Sequence, residues 1–348
     1  MASSSSNSLP VTAQTLFCPN IFQRQLMRTF AGHKIPRYLF RLVAPETAGD
    51  MTTSTVTPPA WMWARINSPE DIFRRDPEDA ASLLYSHLKW ECDDDCNLMS
   101  WTSSLLLALQ YGFYRHVKDS NEPRLNEISL FILDTRGFPE GTIIKDTDAM
   151  KALKGYSTDI KDFLEFRLNK SGKSKRYYFG EYLTQGQLDI QGKCVSVSLQ
   201  RIIDLGLFEL YPELGDRSKW NIWAKRVIKL REIFAHPCLT THSEVRRALT
   251  IAQGCFRDCW VVPFAASLLA LKSRKQDDTK IVEAFSAMFA AEEIAELSLQ
   301  NIQIDYDSLP EVEQFARLIG SIYRRFYDKD ISLLLNPFTK LEITDCLR

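Results

Sequence analysis

Tyr38-Leu39-Phe40-Arg41-Leu42-Val43, Met99-Ser100-Trp101-Thr102-Ser103-Ser104 and Tyr177-Tyr178-Phe179-Gly180-Glu181-Tyr182-Leu183 are the segments whose reading decides the fold. The first and third are rich in aromatic and apolar residues and read as strands. Each nevertheless carries one charge that a plain core strand would not accommodate. The middle segment reads as a strand that runs out in hydroxyl side chains and becomes a helix, with Thr102 or Ser103 as the expected cap. An arginine, a serine and a glutamate placed in this order can converge on a small anionic ligand.

Working outward, strand-like segments fall at 38–43, 97–101, 127–134, 176–183 and 192–199. Helical patterns lie between them. Ser68-Pro69-Glu70-Asp71 is a strong helix start, with a capping Ser, Pro at the first helical position and acids in the first turn. That helix should be short, because Asp76-Pro77-Glu78-Asp79 repeats the signal and starts another, running to about Leu88. Leu105, Leu106, Ala108, Leu109 and Phe113 recur at helical spacing, and 146–154 and 158–168 read as two shorter helices. Strands and helices do not alternate regularly, so the class expected is α+β rather than a doubly wound sheet. From about residue 206 strand patterns disappear. Helical periodicity then recurs over 217–235, 243–254, 255–274, 278–296 and 309–327, which predicts an all-α C-terminal domain. The expected division is a disordered or targeting tail at 1–35, an α+β domain at 36–205 and a helical domain at 206–348.

Hydrophobic content of 45% and charged content of 25% over 348 residues are those of an ordinary globular chain. A net charge of −1 gives no signal for nucleic acid or an anionic membrane. Eight cysteines are too sparse for a disulfide scaffold and predict a reduced, cytoplasmic setting. The most apolar run, 260–271, falls short of the ~20 residues needed to cross a bilayer, so no membrane partner is expected. Residues 1–45 contain no Asp or Glu, open with a Ser-rich tract and carry Arg24, Arg28, Lys34, Arg37 and Arg41. That composition makes a mitochondrial presequence the alternative localisation.

Familiar motifs fail on inspection. Gly172-Lys173-Ser174 has the tail of a P-loop, but the motif's first glycine would fall where Arg167 stands. Cys92 and Cys96 lie near His87, and His236, Cys238, His242, Cys255 and Cys259 gather later. These spacings are looser than the paired ligands of structural zinc sites, and no metal is expected. Neither a nucleophile elbow nor a dinucleotide-binding glycine fingerprint occurs.

At Tyr38-Leu39-Phe40-Arg41, Ser100-Trp101-Thr102-Ser103 and Gly180-Glu181-Tyr182-Leu183 the chain resembles the ADP-ribosyltransferase-like fold, in the Arg–Ser–Glu subgroup that includes cholera-type toxins. More closely, it is similar to an uncharacterised family of fungal domains that share YLFR, SxTS and GEYL segments. The resemblance covers roughly residues 36–205 and implies a split β-sheet core with NAD as substrate. Arg41 would hold a phosphate of the dinucleotide bidentately. Ser100, with Thr102 behind it, would brace the nicotinamide-binding strand. Glu181 would be catalytic, accepting a hydrogen bond from the ribose 2′-OH and stabilising the oxocarbenium-like state as nicotinamide leaves.

One position departs from the pattern. Transferases of this subgroup that modify a side chain or a base usually carry Glu or Gln two residues before the catalytic Glu, where this chain has Phe179. Gln185 and Gln187, just downstream, are the polar groups available to stand in. The function implied is a mono-ADP-ribosyltransferase-like activity, releasing nicotinamide with transfer to an acceptor or to water. The alternative is a catalytically inactive domain that binds a ligand or a protein partner, the partner through the helical C-terminal domain. A purely structural reading pairs Arg41 with Glu181 across neighbouring strands and makes Ser100 a helix cap.

Overall fold

The computed structural model describes residues 14–32, 35–62, 70–91, 94–168, 177–275, 277–295 and 309–339. Among the described residues nine strands are formed: β1 (Tyr38–Val43), β2 (Asp50–Met51), β3 (Thr55–Thr57), β4 (Leu98–Thr102), β5 (Ser129–Asp134), β6 (Ile144–Lys145), β7 (Glu181–Gln185), β8 (Leu188–Asp189) and β9 (Cys194–Ser198). Six make one sheet in the order β6-β7-β4-β1-β5-β9, and β2-β3-β8 make a smaller one. Every pairing in both sheets is antiparallel. With its helical C-terminal region, the chain is α+β.

The large sheet is continuous only in name. β1 pairs with β5 through six residues and β4 pairs with β7 through five, but β1 meets β4 at the single pair Phe40↔Thr102. Two three-stranded halves therefore touch at one register pair, at the last residue of β4, and the rest of β4 forms no ladder with β1.

Period-two alternation sends the side chains of each half into separate cores. From β1 and β5, Phe40, Leu42, Leu130 and Ile132 pack on Leu106, Leu109 and Phe113 of the Leu105–Lys118 helix. From β4, β6 and β7, Leu98, Ile144 and Leu183 pack against the helices Pro77–Leu88, Asp146–Leu153 and Thr158–Leu168. The opposite face is covered by the small sheet, where Val56 and Leu188 meet Leu39, Trp101, Phe131 and Tyr182.

The first of these cores does not stop near residue 206. It runs from Phe40 through Leu199, Leu207 and Val245 to Phe264 and Ile319. The helices that follow are Ala224–Arg231, His242–Cys255, Val261–Leu269, Thr279–Met288, Ala291–Ala295 and Pro310–Thr339. Ala224–Arg231 and Val261–Leu269 are shorter than the periodicity over 217–235 and 255–274 suggested, whereas His242–Cys255 matches the reading over 243–254. Asp258 adopts φ +52°, which a helix cannot continue through, and Pro263 sits in the first turn of the next helix. Among the described residues no helix is long and apolar enough to cross a membrane.

Two local expectations change. Within the stretch read as a tail, residues 14–32 are structured. Asn20 and Gln23 form a capping box for the Ile21–Leu26 helix, and Phe17 and Met27 are fully buried in the second core. The strand read over 176–183 is β7, which begins at Glu181 because Gly180 takes φ +68° and breaks the extended run; residue 176 lies outside the described residues. Of the expected helix start at 68–71, Ser68 and Pro69 lie outside the described residues. Asp71 caps a short 3-10 turn, Ile72–Arg74, and Asp76 caps the Pro77–Leu88 helix as expected.

In the helical region, Glu244 completes a capping box with Thr241 and pairs with the buried Arg274. Burial pushes its carboxyl up, but hydrogen bonds from Arg274, from the Thr241 N–H and from Lys272 outweigh this and hold it down at about 2. A carboxyl depressed on folding stabilises fully above its unfolded value of 4.5, and the contribution is lost as pH falls toward 2. Glu244→Gln is therefore expected to flatten the acid limb of the stability curve over that window. At neutral pH it should destabilise the fold by roughly 1–3 kcal/mol, since Arg274 loses its anion. Urea denaturation as a function of pH measures both.

Candidate functional site

The hydroxyl run after β4 sets the site. Thr102 Oγ1 donates to the Phe179 carbonyl at 2.7 Å and accepts from the Ser104 N–H at 3.0 Å. The Ser103 N–H donates to the Gly180 carbonyl at 2.9 Å. Ser104, not Thr102 or Ser103, caps the Leu105–Lys118 helix by accepting from the Leu107 N–H at 3.1 Å. Thr102 and Ser103 thus grip the turn that delivers Glu181, and the cap falls one residue later than expected. Gly180 has no alternative there, since a Cβ on it would collide with Ser103 Oγ.

Ser100 lies two residues before Thr102 on the same face of β4, and Thr102 is opposite Glu181 in the ladder. Ser100 Oγ donates to Glu181 Oε1 at 2.6 Å. His87 Nε2, from the Pro77–Leu88 helix, lies 2.7 Å from the same hydroxyl, and His87 Nδ1 lies 3.1 Å from Cys96 Sγ. Because the Ser100 proton goes to a carboxylate, Nε2 is assigned as a protonated nitrogen that donates to the Ser100 hydroxyl. The sequence singled out His87 and Cys96 as metal candidates; here they bond to each other, and Cys92 lies outside the described residues. Among the described residues no three His, Cys, Asp or Glu gather as a metal cluster. The order Glu–Ser–His also differs from a serine hydrolase triad, in which the imidazole stands between hydroxyl and carboxylate.

The second oxygen of Glu181 has a different partner. Arg167 Nη1 donates to Oε2 at 2.7 Å and also pairs with Asp146, at the start of the Asp146–Leu153 helix. Sequence reasoning missed Arg167, which registered only as the residue that spoils the P-loop. Its one local signal is Phe163, a turn earlier on the same helix, whose ring lies 4.8 Å from the guanidinium. Burial pushes the Asp146 carboxyl up to about 6; Arg167 opposes the rise and Glu181 adds to it. The expected pairing of charges around Glu181 is thus made with Arg167, and the capping role given to Ser100 falls to Ser104.

Arg41 arrives by another route. It shares its strand face with Leu39 and Val43, and so starts opposite Phe40 and Leu42. The parting of β1 from β4 leaves room at the strand edge, where Nη1 donates to the Ser100 carbonyl at 2.5 Å and Nη2 lies 3.7 Å from Met99 Sδ. Arg41, Ser100, Thr102 and Glu181 all line one cleft of about 600 Å³. That volume suits a small organic ligand.

Aromatic rings form much of the remaining wall. Trp223, from the helical region, lies 4.7 Å from Trp90 and 5.4 Å from Phe179 between ring centroids. Trp90 holds φ +62°, a costly conformation for a non-glycine residue and one that concentrates at functional sites. Phe179 is buried against Trp223 and offers the cleft no polar group. Neither downstream glutamine stands in for it. Gln185 is tied to Asp71 and the Ile72 N–H, and Gln187 donates to Thr57, away from the cleft. Comparison with family models, with curated proteins and with solved structures returned no match.

Arg167→Met would leave two carboxylates, one of them fully buried, without their common cation. At pH 7.5 the expected loss is roughly 3–5 kcal/mol. Asp146 is already raised on folding, so folding takes up a proton and its stabilisation falls as pH climbs from about 4 to about 6. Without Arg167 that carboxyl rises further. The loss should accordingly be smaller at pH 5 than at pH 7.5, as denaturant titrations at the two values would show.

Proposed function

We propose that this chain is an ADP-ribosyltransferase-like protein that binds NAD and cleaves its nicotinamide–ribose bond, with water as the favoured acceptor. The observation that carries the reading is the convergence of Arg41, Ser100 and Glu181, from β1, β4 and β7, on one cleft where β1 and β4 part. The two half-sheets meeting at a single pair support the split core that the sequence resemblance implies.

The chemistry follows from the donors and acceptors available. Arg41 is always cationic and lies at the parting with Nη1 on the Ser100 carbonyl, and the planar fork of a guanidinium is suited to a phosphate oxygen pair that enters the cleft. Glu181, its oxygens oriented by Ser100 and Arg167, retains lone pairs to accept from a ribose hydroxyl. As the C–N bond breaks, its electron pair leaves with nicotinamide and positive charge develops at the anomeric carbon. The Glu181 carboxylate stabilises that charge more than it does the ground state, which is what accelerates the step. A water oxygen then bonds to the anomeric carbon and loses its proton to solvent, giving ADP-ribose. Phe179 supplies neither a base nor a hydrogen bond at the position that serves a side-chain acceptor elsewhere in the subgroup, and this favours water.

A second reading is a binding module without turnover. It is favoured by Phe179 and by the ion pair that occupies Glu181 Oε2. Following free nicotinamide by chromatography, beside calorimetry with NAD, separates the two. For the enzyme, Glu181→Gln should lower nicotinamide release by about 100-fold or more while NAD affinity stays within about threefold. Arg41→Lys should weaken NAD binding by roughly tenfold, because a point charge replaces the fork. Binding without release by the wild type selects the second reading; neither binding nor release overturns both.

A further inference from the structure

Three successive carbonyls lead into Glu181, and each accepts a hydrogen bond from a different residue. Phe179 and Gly180 are held from the end of β4 by Thr102 and Ser103. The first, Tyr178, is held from the far side by Arg231, the last residue of the Ala224–Arg231 helix, whose Nη1 donates at 3.0 Å. The same guanidinium lies 5.4 Å from the centre of the Phe179 ring. It is fixed by Glu311, near the start of the Pro310–Thr339 helix. Nε donates to both carboxylate oxygens at 3.1 Å and Nη2 donates to Oε1 at 2.7 Å. Glu311 Oε1 also accepts from Ser104 Oγ at 2.5 Å, so one carboxylate ties the cap after β4 to the arginine behind β7. Both side chains are almost wholly enclosed, 11% and 3% exposed, so the pair is not a solvated surface contact.

We infer that Arg231, oriented by Glu311, is a positioning residue for Glu181, so that the helical region is part of the catalytic unit rather than an appended module. The inference rests on the function proposed above. Neither residue touches the cleft, and a fork was needed: one edge of the guanidinium meets the carboxylate while another nitrogen reaches the Tyr178 carbonyl, a division Lys cannot make. The backbone entering β7 is therefore pinned on both sides, and the carboxylate it carries can be held to the fraction of an ångström that charge stabilisation requires.

The test separates positioning from stability. Arg231→Met strands the buried Glu311 charge and should lower the melting temperature. Arg231→Met with Glu311→Gln restores charge balance and keeps an acceptor for Ser104, so most of the stability should return. If Arg231 positions Glu181, kcat for nicotinamide release stays about 10–100-fold down in both variants, with KM for NAD within about threefold. Amide hydrogen exchange at residues 179–181 should also quicken about tenfold or more in the double variant, with the other amides of the sheet unchanged. Recovery of kcat together with the melting temperature would overturn the inference, as would unchanged exchange at 179–181. Exchange is read whether or not nicotinamide is released, so an inactive wild type tells against the proposed reaction while the clamp is still decided.

Discussion

β1 and β4 share one register pair, Phe40↔Thr102, and the rest of the molecule is arranged around that parting. A fully zipped sheet would bury Arg41 among strands with nowhere to place a guanidinium. The divergence instead opens a strand edge, leaves the Ser100 carbonyl accessible and lets Arg41 take it. It also separates two apolar cores on one face of the sheet, and the cleft opens between them. The third core, on the opposite face, spans both halves through Leu39, Trp101 and Phe131 and keeps them from separating further.

Around this parting, polar groups that would be costly to bury singly are assembled into one connected set. Cys96, His87, Ser100 and Glu181 form one arm, and Asp146 and Arg167 form the other. Each oxygen of Glu181 is oriented by a different arm. A carboxylate held in this way is poised to meet a developing positive charge without reorganising, which is the property the proposed NAD chemistry would use.

The helical region joins this arrangement through packing and through charge. Its apolar core is continuous with that of β1 and β5, so it is built onto the sheet rather than tethered beside it. Trp223 adds to the cleft wall, and the Arg231–Glu311 pair reaches the turn before Glu181. A division at residue 206 follows the change of secondary structure in the chain, but buried contacts cross it throughout.

Local chemistry alone determined a good deal. The aromatic and apolar run of Tyr38–Val43, the capping signal at Asp76-Pro77 and the 3.6-residue spacing after Leu105 were sufficient to place strand, helix start and helix. The hydroxyl-rich end of β4 marked the strand-to-helix turn, though not which hydroxyl would cap it. Arg41, Ser100, Thr102 and Glu181 were legible as candidates because a charge or hydroxyl inside an apolar strand is conspicuous against its neighbours. Arg167, Trp223, Arg231 and Glu311 were not. An arginine on an amphipathic helix, or a glutamate in a first turn, looks the same whether it faces water or a buried partner far along the chain. Only the tertiary structure decided those partners, the single-pair junction between β1 and β4 and the cleft it opens. Each depends on which strand edges meet and how many residues they share, and that is set by the packing of distant segments rather than by any local run of sequence.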